Sequence, residues 1–175
     1  QCLSGKALKA MDVLYQNVKK LEINTSTSMQ LFDAFVGSVI NYVCPVLGFS
    51  KSKELERIHV KFCKMILGVR HNSCNDAIYG ELDRWPLFVN RYVHIIKYWL
   101  HIVRTENIIL KLVYQFAHEE CEKGVHNWAN KVKSLLCEYG FANVWVNADS
   151  IHEKTFLSVF KQRVVDCFCQ KWYSD

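Results

Sequence analysis

The chain has 175 residues, half of them apolar, and carries 22 Lys and Arg against 17 Asp and Glu for a net charge of +5. That length buries one substantial core, or two small ones sharing an interface. With only 7 Gly and 2 Pro and with 13% aromatic residues, it excludes a disordered chain and a turn-rich β-sandwich and predicts an all-α protein.

About seven helices follow from apolar spacing and end signals. The first, Lys6 to Leu21, aligns Leu8, Met11, Leu14, Tyr15, Val18 and Leu21 and is broken by Asn24 to Ser28. The second, about Met29 to Val43, is apolar nearly all round and is expected to be the buried element, capped by Ser26, Thr27 or Ser28 and stopped or kinked near Val43 or Cys44 by Pro45. The third, Lys53 to Val69, is the clearest amphipath. Leu55, Ile58, Phe62, Met65, Ile66 and Val69 share one arc, and Lys53, Arg57, Lys61 and Lys64 share another, about 130° away.

A polar bridge from Arg70 to Asp76 leads to a fourth helix, with Pro86 in its first turn and Asp83 upstream to satisfy free N–H groups, running to about Arg104. Asn90, Arg91, His94, Lys97 and His101 form a polar stripe on it, so this most apolar run is no bilayer span. The fifth helix runs from Ile108 to Glu122 before Gly124, and the sixth from His126 to Tyr139 before Gly140. The seventh opens on the capping-box spacing Ser150 to Glu153 and aligns Phe156, Leu157, Phe160, Val164, Cys167 and Phe168.

Charge divides the chain unevenly. Residues 1–70 hold ten Lys and Arg and five Asp and Glu, whereas residues 71–175 hold twelve of each. A basic block suits a polyphosphate partner through counterion release, the plainer reading being a solvated basic surface. The eight cysteines form no CxxC pair and read as reduced, mainly buried thiols of an intracellular protein.

Three constellations have metal-ligating residue types: Cys63 with His71 and Cys74, His118 with Cys121 and His126, and Cys167 with Cys169. None supplies two closely spaced ligand pairs, so no metal is expected. Cys63 beside His59, and Cys121 beside His118, lack the third group that would orient a thiol nucleophile. No catalytic residue is assigned. Gln1 stands where an initiator Met or a signal peptide would, which fits a fragment of a longer sequence.

Six segments in order carry a family resemblance: LFDAFVGSVINYVCPVLGF at 31–49, KELERIHVKFCKMILGV at 53–69, CNDAIYGELDRWPL at 74–87, RYVHIIKYWL at 91–100, NWANKVKSLLCEYGFANVW at 127–145 and FLSVFKQRVVDCFCQKWYSD at 156–175. Together they resemble the region after the catalytic palm in reverse transcriptases of animal non-LTR (LINE-type) retrotransposons. The resemblance implies a thumb-like helical bundle over 1–75 and a neutral, aromatic-rich helical extension over 76–175, packed against it. It further implies a polyprotein with fingers and palm upstream, where Mg2+ and its aspartates would sit, with no cofactor in this segment, and residence in cytoplasm and nucleus.

Such a thumb would grip an RNA–DNA or DNA duplex by its phosphate backbone without reading sequence. The contacts expected are Lys53, Arg57, Lys61 and Lys64, then Lys6, Lys9, Lys51 and Arg70. Gly80, Glu81, Arg84, Trp85 and Pro86 are expected to form a structural joint, in which Gly80 supplies an unusual backbone, Trp85 plugs the core, and Glu81 with Arg84 has the spacing of a clamp. Pro45 to Gly48 replace an acidic residue and a Trp before a Gly, and Asp83 replaces a frequent Gly. These departures fit a decayed or domesticated copy, because Asp is awkward where φ is positive. The competing reading is a stand-alone helical interaction module that binds a protein, or itself, through Trp128, Trp145, Trp172 and Tyr173.

Overall fold

A computed structural model describes residues 3–42 and 44–174, the side chains of 171–174 excepted. It is all-α, with no strand among the described residues and about ten helices rather than about seven. The chain divides into two compact units: Gln1–Cys44 with Ser50–Phe88, and Pro45–Phe49 with Val89–Asp175. No helix among the described residues is long and apolar enough to cross a membrane.

In the first unit, α1 (Leu3–Lys20) buries Ala7, Met11, Leu14 and Val18. The next helix starts earlier than its apolar run suggested, at α2 (Thr25–Leu31), because Asn24 rather than a hydroxyl caps it by accepting from the Thr27 N–H at 2.9 Å. Ser28 is buried and donates backwards to the Asn24 carbonyl at 2.8 Å. A π-helical turn (Phe32–Gly37) then widens the helix before α3 (Ser38–Asn41). This element is not buried all round. Phe32, Val36 and Ile40 face the core, while Phe35 and Tyr42 are 59% and 86% exposed. Val43 lies outside the described residues, and Pro45 sits at the second position of a short α4 (Cys44–Leu47), where a missing N–H costs little.

α5 (Lys53–Leu67) brings Leu55, Ile58, Phe62 and Cys63 into that core, with Phe62 stacked on Phe32 at 4.8 Å. Its buried side is wider than the apolar stripe, because α6 (Asn75–Glu81) packs on it as well as α1, and His59 and Val60 are buried too. α6 was not expected. At seven residues it is too short to show a period, and isolated it would not form. By its contacts it belongs with residues 50–88, although charge and family order set it in the second part of the chain.

α7 (Leu87–Val103) has its first two residues in the first unit and, within the second, buries Tyr92, Ile95, Ile96, Trp99 and Leu100. Asn90, His94, Lys97 and His101 do face solvent, but Arg91 is 6% exposed and lies off the stripe. α8 (Ile108–Glu122) is capped by Asn107, and α9 (Trp128–Glu138) by Asn127. The five-residue α10 (Ala142–Val146) and a 3₁₀ turn (Ala148–Ser150) precede α11 (Glu153–Ser174). Ser150 does not cap α11. Its hydroxyl donates to the Asn147 carbonyl at 2.9 Å, inside the 3₁₀ turn. Trp145 stacks on Trp99 at 5.5 Å and on His118 at 5.2 Å, and Tyr114 Oη accepts from Trp99 Nε1 at 3.0 Å. Phe141, Phe156 and Phe160 form a second aromatic cluster.

Five chain reversals share one geometry. After α1, α5, α6, α8 and α9 a residue with positive φ is followed by one whose N–H reaches back five residues: Ile23 to Val18, Val69 to Lys64, Arg84 to Tyr79, Val125 to Glu120 and Phe141 to Leu136. This is the Schellman stop, which satisfies the last carbonyls of a helix through a left-handed residue. Gly68, Gly124 and Gly140 supply it without strain, but Glu22 (φ 50°) and Asp83 (φ 49°) carry side chains there. The positive φ of the joint therefore belongs to Asp83, not to Gly80, which lies inside α6.

Asp83 also sets a carboxylate against the negative end of the α6 dipole. Asp83→Gly is accordingly expected to stabilise the chain by about 0.5–1 kcal/mol and to raise Tm by about 1–4 °C in thermal melts. Gly68→Ala, where a Cβ meets nothing within 4 Å, is expected to lose about 1 kcal/mol through backbone strain alone.

Candidate nucleic-acid interface

α5 positions the site. Ser52 caps it, accepting from the Leu55 N–H at 3.4 Å; Glu54 and Glu56 favour its N-terminal end; Gly68 ends it. With the apolar arc fixed in the core, Lys53, Arg57, Lys61 and Lys64 are carried onto one outer arc. All four line a single groove of about 830 Å³, closed on its other side by His71, Asn72, Ser73, Cys74 and Asn75. The groove floor is partly apolar, formed by Val60, Met65 and Val69. Val69 does not belong to the apolar helix face, since it lies beyond Gly68 and is 41% exposed.

The cations differ in what holds them. Lys64 Nζ donates to the His71 carbonyl at 2.8 Å and so ties the far wall to α5. Lys61 Nζ pairs with Asp12 Oδ1 of α1 at 3.4 Å, both about half exposed. Lys53 and Arg57 are exposed, and no ion pair engages either among the described residues. Lys51 does not line this groove. It sits 4.4 Å over the Phe88 ring, beside a smaller groove of about 270 Å³ that shares Lys53, Glu56 and Asn75 with the first. Lys6, Lys9 and Arg70 are exposed but line neither groove.

The one carboxylate in the groove wall, Glu56, is turned inward. It accepts from Tyr79 Oη, from the Leu87 N–H at 2.9 Å and faces His59 Nδ1 at 3.2 Å. This cap on α7, rather than Asp83, satisfies the helix start that Pro86 precedes. Burial first, and the Glu56 charge second, push the Tyr79 phenol up, so it remains a donor. Burial likewise pushes the neighbouring Cys63 thiol up to about 12, which leaves it unreactive at neutral pH.

Around the joint, Arg84 does not clamp Glu81. Its two terminal nitrogens bind both Asp33 oxygens in the π-helical turn, one of them at 2.7 Å, and this hydrogen bonding raises its pKa further. Glu81 faces solvent, Trp85 is partly buried and Pro86 is buried. Sequence reasoning missed Glu56, Tyr79 and Asp33 because each meets a partner more than twenty residues away. The anchors of the interaction reading also differ from expectation: Trp145 is 7% exposed, and Trp128 donates Nε1 to the Pro45 carbonyl at 3.0 Å. Trp172 and Tyr173 lie outside the described side chains.

Of the described cysteines, Cys44, Cys63 and Cys121 are buried, Cys74 and Cys137 are exposed, and Cys167 and Cys169 are intermediate, so fewer are buried than expected. Among the described residues no three His, Cys, Asp or Glu side chains converge as a metal site. No protein-family model matches the chain, and neither a curated protein nor a solved structure is similar to it at a significant level.

Glu56→Ala leaves a buried hydroxyl and a helix N–H without their acceptor and is expected to cost about 3 kcal/mol in urea unfolding, against about 1 kcal/mol for Tyr79→Phe. The pH dependence has a definite sign. A thiol that ionises near 9 when unfolded but stays neutral to about 12 when folded contributes stability below pH 9 that is lost as pH rises toward 12. The urea midpoint should fall across that window, and Cys63→Ala should flatten the fall while lowering the plateau.

Proposed function

We propose that the first unit is the duplex-gripping, non-catalytic thumb part of a non-LTR reverse transcriptase, holding a template–primer duplex by its phosphates. The observation that carries the proposal is the convergence of Lys53, Arg57, Lys61 and Lys64 on one groove whose only carboxylate is consumed internally by Tyr79, Leu87 and His59. Paired or tethered as they are, Lys61 and Lys64 shape the groove, while Lys53 and Arg57 offer their charge directly to a ligand. Asn72, Ser73 and Asn75 on the opposite wall can donate to phosphate and sugar oxygens.

Cations spaced along one helix face fit backbone binding that tolerates any sequence. The extension of copying by the upstream palm, its Mg2+, and the fingers of the same polyprotein are part of the proposal and rest on the six-segment resemblance. The chain itself would supply grip and no chemistry.

Fluorescence anisotropy with an RNA–DNA hybrid tests this. Two neutralised phosphates, at Lys53 and Arg57, give a slope of log K against log salt of roughly −2, and Arg57→Glu should lower its magnitude by about 1 while weakening binding equally for unrelated sequences. Absence of binding at about 50 mM salt, or a slope that ignores Arg57→Glu and Lys53→Glu, overturns the proposal.

A further inference from the structure

A surface helix ordinarily has one apolar face, and α8 has two. Its inner face packs Leu110, Tyr114, Ala117 and Cys121 within the second unit, Cys121 being the buried one. Its outer face carries Ile108, Ile109, Leu112, Val113 and Phe116, between 49% and 74% exposed. At 100° per residue these five fall within about 140°, opposite the inner face. Val113 also lines an apolar groove of about 220 Å³ with Val46, Tyr98 and Trp128, and Leu47 beside it is 67% exposed. Clustered exposed apolar residues of this kind mark interaction surfaces rather than ordinary solvent-facing helix.

We infer that a second copy of this chain covers it, the two α8 helices lying antiparallel about a two-fold axis at Leu112. Charge selects the occupant and its direction. The outer stripe ends in Glu119 and Glu120, followed by Lys123, whereas the first turn of α8 has no acidic residue and is capped by the Asn107 side chain, with Glu106 just before it. A parallel neighbour would set carboxylates against carboxylates. An antiparallel copy brings Ile108 against Phe116 and Leu112 against Leu112, and it carries Glu119 and Glu120 to the positive N-terminal end of the facing helix. Val46 and Leu47, 48% and 67% exposed, flank the stripe and extend the apolar surface that a pair would bury. All of these residues belong to the second unit, so the inference stands independently of nucleic-acid binding by the first.

Sedimentation velocity of the 175-residue chain between about 1 and about 100 μM tests it. The mass should double from 20.5 kDa. Leu112→Glu with Phe116→Glu, both at exposed positions, should remain at the single-chain mass throughout, with helical content unchanged and with a Tm equal to that of the parent at concentrations where the parent is itself a single chain. Glu119→Lys with Glu120→Lys should raise the dissociation constant about tenfold or more while leaving the apolar stripe intact. A chain that is monomeric at the highest concentration, a double-Glu variant that still pairs, or a double-Lys variant that pairs as tightly as the parent overturns the inference.

Discussion

The Glu56 carboxylate is the interaction on which the first unit turns. One half-buried group on α5 receives the phenol of α6 and the first N–H of α7, and stands against a buried imidazole. Each of these donors would be an orphan without it, and an orphaned buried donor costs more than a satisfied one contributes. The same geometry decides the electrostatics of the outer surface. Because Glu56 spends its charge inward, the groove along Lys53, Arg57, Lys61 and Lys64 remains cationic although an acid lies in its wall.

The groove is a product of two constraints on α5. Phe62, Ile58 and Leu55 fix the rotation of the helix against α1 and the π-helical segment, and that rotation sends the four cations outward together. The opposite wall is tied to α5 by a charged hydrogen bond from Lys64 to the His71 carbonyl and by the packing of α6, after Gly68 has turned the chain back. Rotation sets which residues line the groove, and the turn sets that there is a groove at all.

What could be read from sequence was what periodicity encodes. The bounds of α8, between Asn107 and Gly124, and the common arc of Lys53, Arg57, Lys61 and Lys64 follow from spacing and end signals alone. α6 and α10, at seven and five residues, are shorter than two turns of period and exist through contacts such as that of Tyr79 with Glu56. A glycine reads as the place for an unusual backbone, yet Gly80 lies inside α6, and the positive φ falls at Asp83, the position where the family resemblance expects a glycine and where the hydrogen bonds of the helix end require it. The outer stripe of α8 escaped notice for a related reason. An apolar residue in a sequence reads as core, and nothing local says that a helix has two such faces.

The five left-handed helix stops bear on the order in which the chain folds. Each is closed by hydrogen bonds spanning three to five residues, so it forms as soon as its helix does. The Asp33–Arg84 and Asp12–Lys61 pairs instead close loops of 51 and 49 residues, whose ordering entropy must be met later. Local reversals thus come before long-range pairing, and the strained backbones of Glu22 and Asp83 act while each helix has little tertiary support. In a chain emerging from a ribosome, helix ends carrying a side chain where glycine fits best would be the slowest places for α1 and α6 to turn back on themselves.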